Sequence, residues 1–230
     1  ALLTKQVVTL DQVSNGRFHF GVGIGGEIPE EFSACNVRVK DRGSRTNETL
    51  QIFKKLCTDD NVDFDGKYCS LNGVTLSPKP LHKPHPAIWI SGRSEAAMQR
   101  CAQFGNGWLP YMYSPERLAA SLEQIDGFLK ASGQTRTIRK GIYIPLATHE
   151  DNEIARTMAI DTLSKEYDQD FSCLVDKYAV AGDPIRCVKR LMEYIAAGAE
   201  TLIFGSAATP ENHYKSQALL TKEIIPHLKR

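Results

Sequence analysis

Hydrophobic and polar residues recur along this chain with two periods, one typical of helices and one typical of strands. Near the start, Leu3, Val7 and Leu10 recur at helical spacing. Residues 17–24 then place apolar side chains at every second position, which is the spacing of a strand. The same change of period is repeated to the end of the chain.

Five strands and seven helices are predicted from these periods. The strands cover residues 17–24, 87–90, 108–110, 141–147 and 201–204. The helices cover residues 1–10, 45–57, 94–104, 114–130, 151–165, 183–197 and 210–229. Two turn dipeptides within residues 62–77, Asp65-Gly66 and Asn72-Gly73, predict a small hairpin that interrupts the alternation.

The alternation of short apolar strands with amphipathic helices predicts an α/β fold, with a parallel sheet and helices packed outside it. Five strands fit an open doubly wound sheet or most of an eight-stranded barrel. No linker, repeat or low-complexity stretch divides the sequence. The first helix begins without an initiator Met or a capping residue, so we expect an upstream part of the fold to precede residue 1.

Composition and charge narrow the class of protein. Lys and Arg number 28 against 27 Asp and Glu, a formal net charge of +1, and 42% of the residues are hydrophobic. This balance is typical of a folded globular protein and argues against a nucleic-acid binder. No apolar run reaches the roughly 18 residues that cross a membrane, and the first residues do not form a signal peptide. We therefore predict a cytoplasmic protein that binds neither nucleic acid nor membrane.

The cysteines and histidines show no metal-binding spacing. The six cysteines contain no C-x-x-C pair and are predicted to be reduced and buried; they are Cys35, Cys57, Cys69, Cys101, Cys173 and Cys187. His82 and His85 lie in a proline-rich stretch that is predicted to be an exposed loop. No metal site is predicted.

A glycine-rich stretch follows the first predicted strand. Gly21, Gly23 and Gly26 match the spacing G-x-G-x-x-G, which is typical of dinucleotide-binding Rossmann folds. That motif needs a helix that begins inside it, whereas Pro29 and the acidic residues around it favour a later start. The alternative is that the glycines let the strand end approach its neighbours, or a ring system, closely.

A second candidate site lies at Gly92-Arg93-Ser94, between a buried strand and a helix. Gly92 permits a tight turn, and Ser94 is placed to cap the helix. Backbone N–H groups, the positive end of the helix and Arg93 would then converge on one point, which is typical of an anion site. The alternative is an ordinary helix cap with a solvated Arg93. Trp108, at a later strand, is expected in the core rather than in a pocket wall.

Taken in order, the segments of the chain resemble the luciferase-like flavin monooxygenase family. The matching stretches are TLDQVSNGRF (9–18) with GVGIGG (21–26), EF (31–32), RGSR (42–45), PKP (78–80), PHPAIW (84–89), GRSEAA (92–97), GNGW (105–108), GDP (182–184) and AGA (197–199). The similarity extends over nearly the whole chain.

The resemblance implies an incomplete TIM (β/α)8 barrel. Residues 1–230 would form a single luciferase-like domain that lacks its first three strands, and the five predicted strands would be strands four to eight. The outer edges of the first and last strands would then carry unpaired backbone groups, which is an association hazard.

The resemblance also implies a flavin-dependent oxidoreductase of monooxygenase type. Such a protein acts with reduced FMN and oxygen, or with an 8-hydroxy-5-deazaflavin coenzyme, on a small organic substrate. The cofactor phosphate would lie on Gly92, Arg93 and Ser94. The strand end that carries Gly23, Gly25 and Glu27 would flank the isoalloxazine ring and the phosphate.

One position departs from the family pattern. Some relatives have an arginine on the strand end where this chain has Ile24, so Arg93 is the expected phosphate cation. The residues that the family uses for acid–base chemistry lie mainly on the strands expected upstream, so no catalytic residue is named.

The resemblance implies a small-molecule substrate, and it admits a flavin reductase as a partner and a homo-oligomer as the assembly. Two alternatives to a flavin-dependent oxidoreductase remain open at this point. One is a flavin-binding relative, or a fragment, without catalysis; the other is a nicotinamide-dependent Rossmann enzyme.

Overall fold

The computed structural model describes residues 1–26 and 28–228, which form an α/β protein. The elements up to residue 108 are α1 (Leu2–Val13), β1 (Phe20–Val22), α2 (Pro29–Ala34), α3 (Arg42–Thr58), β2 (Val62–Asp65), β3 (Ser70–Val74), β4 (Ile88–Ile90), α4 (Glu95–Phe104) and β5 (Gly107–Trp108). The later elements are α5 (Pro115–Ala131), β6 (Arg139–Thr148), α6 (Asn152–Tyr167), α7 (Val175–Tyr178), β7 (Val180–Gly182), α8 (Pro184–Ala196), β8 (Thr201–Ser206), α9 (His213–Leu219) and α10 (Ile225–Leu228).

The chain forms two compact units. Unit 1 contains residues 1–108 and 136–138, and unit 2 contains residues 109–135 and the chain from residue 139 onward. Among the described residues, no helix is both long and apolar enough to cross a membrane.

Unit 1 is built on three parallel strands with β4 in the middle. Phe20 pairs with Ile88 on one side of β4, and Trp89 pairs with Gly107 on the other. All three residues of β4 are buried, as expected for a strand covered on both faces. The predicted hairpin is confirmed, because β2 and β3 pair antiparallel.

Unit 2 is built on the long strand β6. Residues Gly141 to Leu146 of β6 pair in parallel with β8, and Leu146 to Thr148 pair in parallel with β7. Tyr111 adds one parallel bridge to Tyr143. Parallel pairing is therefore confirmed within each unit. Strand β7 was not predicted, because its three residues, Val-Ala-Gly, are too short to show a period.

Four helices begin at a side-chain cap. Ser94, Ser114, Asp151 and Asp183 each accept a hydrogen bond from a backbone N–H in the first turn of the helix that follows. The predicted caps Ser94 and Ser114 are thereby confirmed. The carboxylates perform the same role at α6 and α8.

The last helix, predicted over residues 210–229, is confirmed over residues 210–228, but its hydrogen-bonding pattern changes along its length. A 3₁₀ turn (Pro210–Asn212) precedes α9, and a π-helical turn (Leu220–Ile224) joins α9 to α10. Pro226 explains the π turn, since it has no N–H and its ring would clash with the carbonyl four residues earlier in a regular helix. The wider π turn relieves that clash.

Burial corrects two further expectations. Cys57, Cys101 and Cys187 are buried, whereas Cys35 and Cys173 are exposed, so the cysteines are not uniformly core residues. His85 is buried against the Phe53 ring rather than exposed in a loop. Trp108 is fully buried, which confirms its expected place in the core.

The proline-rich segment before β4 is held by a buried carboxylate on α1. Asp11 Oδ2 accepts hydrogen bonds from the N–H groups of Leu81 (2.7 Å) and His82 (3.1 Å), and Oδ1 lies 2.7 Å from His82 Nδ1. Burial by itself would raise the pKa of Asp11, but these hydrogen bonds hold it below its ordinary value. The segment that leads into β4 is thus attached to α1.

We predict that Asp11→Ala lowers the free energy of unfolding by about 2 kcal/mol, because it leaves hydrogen-bond donors of the segment without their charged acceptor. Urea unfolding measures the loss, and Asp161→Ala, at an exposed position of α6, is the matched control. Because the folded pKa of Asp11 is lowered, its contribution is present above the ordinary aspartate pKa of about 4 and is lost as the pH falls below it. Equal losses in both variants, or a loss that does not shrink in acid, would contradict the assignment.

Candidate functional site

The carboxyl ends of β1 and β4 lie side by side in unit 1. Val22 pairs with Ile90, and the Ser91 N–H donates to the Val22 carbonyl at 2.8 Å. The segments that follow, residues 23–26 and 91–94, therefore leave the sheet at the same edge. Ligands of parallel α/β sheets bind at this edge. The structure thus brings together the two candidate segments that the sequence analysis treated separately.

The glycines after β1 differ in what surrounds them. A Cβ added at Gly21 or Gly23 would meet no described atom within 4 Å, so the backbone there faces open space. Gly25 has a positive φ of 93°, and a Cβ there would lie 2.6 Å from the Phe32 ring. Gly25 is needed for the turn, whereas Gly21 and Gly23 leave room for a ligand to reach the backbone.

The dinucleotide motif is not realised in this stretch. A Rossmann site needs a helix that begins within the glycine motif. Here α2 begins at Pro29, after the last glycine, and is only six residues long. The predicted site residue Glu27 lies outside the described residues.

A cavity of about 480 Å³ adjoins the end of β1. Its lining includes β1 with the turn after it as far as Gly25, Glu31 and Phe32 of α2, and Arg42 and Arg45 of α3. Arg42 donates to the Gly26 carbonyl at 2.9 Å, and its guanidinium lies 5.7 Å from the centroid of the Phe32 ring. The cavity therefore combines an apolar wall with two arginines and one glutamate.

Neither Arg42 nor Arg45 was predicted as a site residue from the sequence. Their motif, RGSR, was noted only as part of the family resemblance, and no spacing rule connects it to the glycines some twenty residues earlier. The neighbouring acid, Asp41, accepts a 2.6 Å hydrogen bond from Arg38, which holds the pKa of Asp41 below its ordinary value. This carboxylate is thus engaged by Arg38 at the start of α3.

The turn after β4 has the geometry predicted for it. Gly92 has a positive φ of 149°, and a Cβ there would lie 2.6 Å from the Ala97 Cβ, so only glycine fits against the first turn of α4. Ser94 Oγ accepts from the Ala97 N–H at 3.3 Å. The N–H groups of Glu95 and Ala96 precede the first hydrogen bonds within the helix. They lie at its positive end, and Arg93 is exposed beside them.

Comparison with known proteins agrees with the resemblance. A family model described as luciferase-like monooxygenase matches residues 1–201. Among solved structures, a monooxygenase from Streptomyces bottropensis superposes with a TM-score of 0.82 at 20% identity, covering 99% of this chain and 74% of that one. An F420-dependent secondary alcohol dehydrogenase in complex with an F420–acetone adduct gives a TM-score of 0.85 at 17% identity, covering 100% and 75%.

A third structure is the oxygenating constituent of 3,6-diketocamphane monooxygenase from Pseudomonas putida, in complex with FMN. It gives a TM-score of 0.72 at 17% identity, covering 99% of this chain and 75% of that one. At these identities the similarity shows a shared fold. The predicted α/β fold class is therefore confirmed, and the assignment of strands four to eight stays a prediction.

The two kinds of glycine predict different responses to one added methyl group. Gly25→Ala should lower the free energy of unfolding by about 1–2 kcal/mol, because its φ is positive and its Cβ would overlap the Phe32 ring. Gly23→Ala, the matched control, should leave stability unchanged or slightly raised, because its Cβ meets no described atom. Urea unfolding of both variants measures the difference, and a loss at Gly23 as large as at Gly25 would contradict it.

Proposed function

Because the chain belongs to the luciferase-like monooxygenase family, we propose that it is an oxidoreductase that uses FMN or an 8-hydroxy-5-deazaflavin coenzyme on a small organic substrate. The observation that carries the proposal is the adjacency of two turns at the carboxyl ends of β1 and β4. One turn exposes backbone beside a cavity, and the other presents the N-terminus of α4. A tricyclic ring and a phosphate need these two surfaces.

The residues present fit such a cofactor. Gly92, Arg93 and Ser94, with the first N–H groups of α4, would hold the phosphate. Gly23 and Gly25 would flank the ring, and Glu27 belongs to the same predicted set. Solved structures of the same fold contain FMN in one case and an F420 adduct in another, which supports either cofactor class.

The bound cofactor would supply the redox chemistry, and the chain would bind it, orient it and exclude water. The helix end and Arg93 neutralise the phosphate charge. The Phe32 side of the cavity provides an apolar surface near the ring, and Arg42 adds positive charge at the turn after β1. With Ile24 at the position where some relatives carry arginine, Arg42 and Arg93 are the proposed cations of this edge.

The wider setting follows from this function. With reduced FMN and oxygen the protein would be a monooxygenase supplied by a flavin reductase. With the deazaflavin coenzyme it would catalyse hydride transfer between coenzyme and substrate, without oxygen. The single domain, the cytoplasmic location and a homo-oligomeric assembly stay predictions.

Cofactor binding and turnover test the proposed function. We expect the purified protein to bind FMN or the deazaflavin coenzyme in an absorbance or fluorescence titration. With reduced FMN, we expect the rate of oxygen uptake in the presence of the protein to differ from that of free reduced flavin. Failure to bind either cofactor would overturn the proposal. Binding without any effect on oxygen uptake or hydride transfer would favour the non-catalytic alternative.

We predict that Ser94→Ala weakens the binding of FMN by roughly fivefold, about 1 kcal/mol. The binding of riboflavin, which has no phosphate, should stay nearly unchanged. The control is Ser114→Ala, which removes the equivalent cap of α5. Both variants should lose similar stability, but only Ser94→Ala should separate the two ligands. Calorimetric titration with FMN and riboflavin measures the difference. Equal weakening of both ligands would mean damage to the fold.

The same titrations at increasing salt test Arg93. If Arg93 contacts the phosphate, Arg93→Ala should flatten the salt dependence of FMN binding, because a screened charge pair has been removed. An unchanged slope would mean that Arg93 does not contact the phosphate and that another residue balances the phosphate charge.

A further inference from the structure

Unit 2 has a cavity of its own at the carboxyl end of β8. Ser206, the last residue of β8, pairs with Leu146 of β6, and the Ala207 N–H donates to the Leu146 carbonyl at 2.9 Å. The chain that follows opens a cavity of about 410 Å³. It is lined by Thr162 and Lys165 of α6, Ser206 at the end of β8, Ala208 to Pro210 after the strand, and His213 of α9.

Side chains with hydrogen-bond donors are among the residues that line this cavity, beside the apolar Ala208 and Pro210. Ser206, Thr162 and Thr209 contribute hydroxyl groups, Lys165 contributes an ammonium group, and His213 contributes an imidazole. Ser206 Oγ lies 3.0 Å from His213 Nδ1, so the two side chains hold each other in place. None of the described residues that line the cavity carries a carboxylate. The polar side chains of the lining thus suit a negatively charged group rather than a cation, and the rest of the lining is apolar.

A carboxylate of the chain itself already uses some of these donors. Glu211 lies just beyond the cavity, and the Thr209 hydroxyl, its own backbone N–H and the Lys165 ammonium together hold the pKa of Glu211 below its ordinary value. These groups therefore stabilise an oxyanion at the rim. Glu211 is exposed, so an incoming anion can compete with it for Thr209 and Lys165.

We propose that this cavity binds the oxyanion of a small-molecule substrate, a carboxylate or a phosphate, through Lys165, Ser206 and His213. Its position at the carboxyl edge of a parallel sheet is where such folds bind ligands. The word substrate rests on the function proposed above, whereas the binding of an oxyanion does not. The cofactor phosphate is assigned to other residues, those from Gly92 to Ser94.

Binding is tested on the intact protein by NMR of its histidine rings. Inorganic phosphate or acetate is added at fixed pH, with chloride replaced so that the ionic strength stays constant. The His213 ring signal is assigned from its loss in His213→Gln. We expect a saturable shift of this signal with at least one of the two anions. No saturable shift with either anion would overturn the proposal.

Three variants identify the charges involved. Lys165→Met should weaken binding of the anion by about fivefold. Glu211→Gln should strengthen this binding by about threefold, because a competing carboxylate is removed. Lys130→Met, at an exposed position near the end of α5, makes the same change in net charge and should have no effect. If Lys130→Met weakens anion binding as much as Lys165→Met does, the effect comes from the net charge of the protein. That result would overturn the proposed site.

A cofactor titration separates the source of the oxyanion. Lys165→Met should leave the affinities for FMN and riboflavin unchanged. If it weakens the binding of FMN but not that of riboflavin, the cavity holds the cofactor phosphate and the substrate assignment is wrong. If the unmodified protein binds neither cofactor but still shows the His213 shift, the proposed function fails while the oxyanion site stands.

Discussion

Parallel strands that pair in register must end at the same edge of their sheet, and the candidate site depends on this constraint. The bond from the Ser91 N–H to the Val22 carbonyl continues the pairing of β1 and β4 to their last residues. It leaves no freedom for the two turns to separate. Neither turn resembles a complete binding site alone, because one offers an exposed backbone and the other offers the end of a helix.

Glycine serves two different purposes in these turns. Gly25 and Gly92 adopt positive φ angles and lie against side chains, so the chain can turn there only without a Cβ. Gly21 and Gly23 meet neither condition, since an added Cβ at either position would contact no described atom within 4 Å. Contacts among the described residues therefore explain the first pair, whereas they do not require glycine at the second pair.

The sequence predicts the elements that have a repeating pattern and the turns that have a defined chemistry. Ser94 and Ser114 were recognised as caps because a cap is a local arrangement of one side chain and the next few N–H groups. The short strand Val180–Gly182 has no room for a period, and it exists because β6 offers it a partner. The burial of His85 depends on Phe53, over thirty residues away. The cavity beside Arg42 and the donors around Ser206 are likewise products of folding, which no local spacing reveals.

The two candidate anion sites are built from different groups, and the difference has a consequence for specificity. The proposed phosphate site would use mainly backbone N–H groups at a helix end, which persist through most side-chain substitutions. The cavity after β8 uses side chains, so single substitutions can change the group that it accepts. Structures of this fold include both a monooxygenase and an alcohol dehydrogenase, so the fold accommodates different reactions. A cofactor site built from backbone and a substrate site built from side chains, as proposed, would permit this variation, because the second can change while the first stays intact.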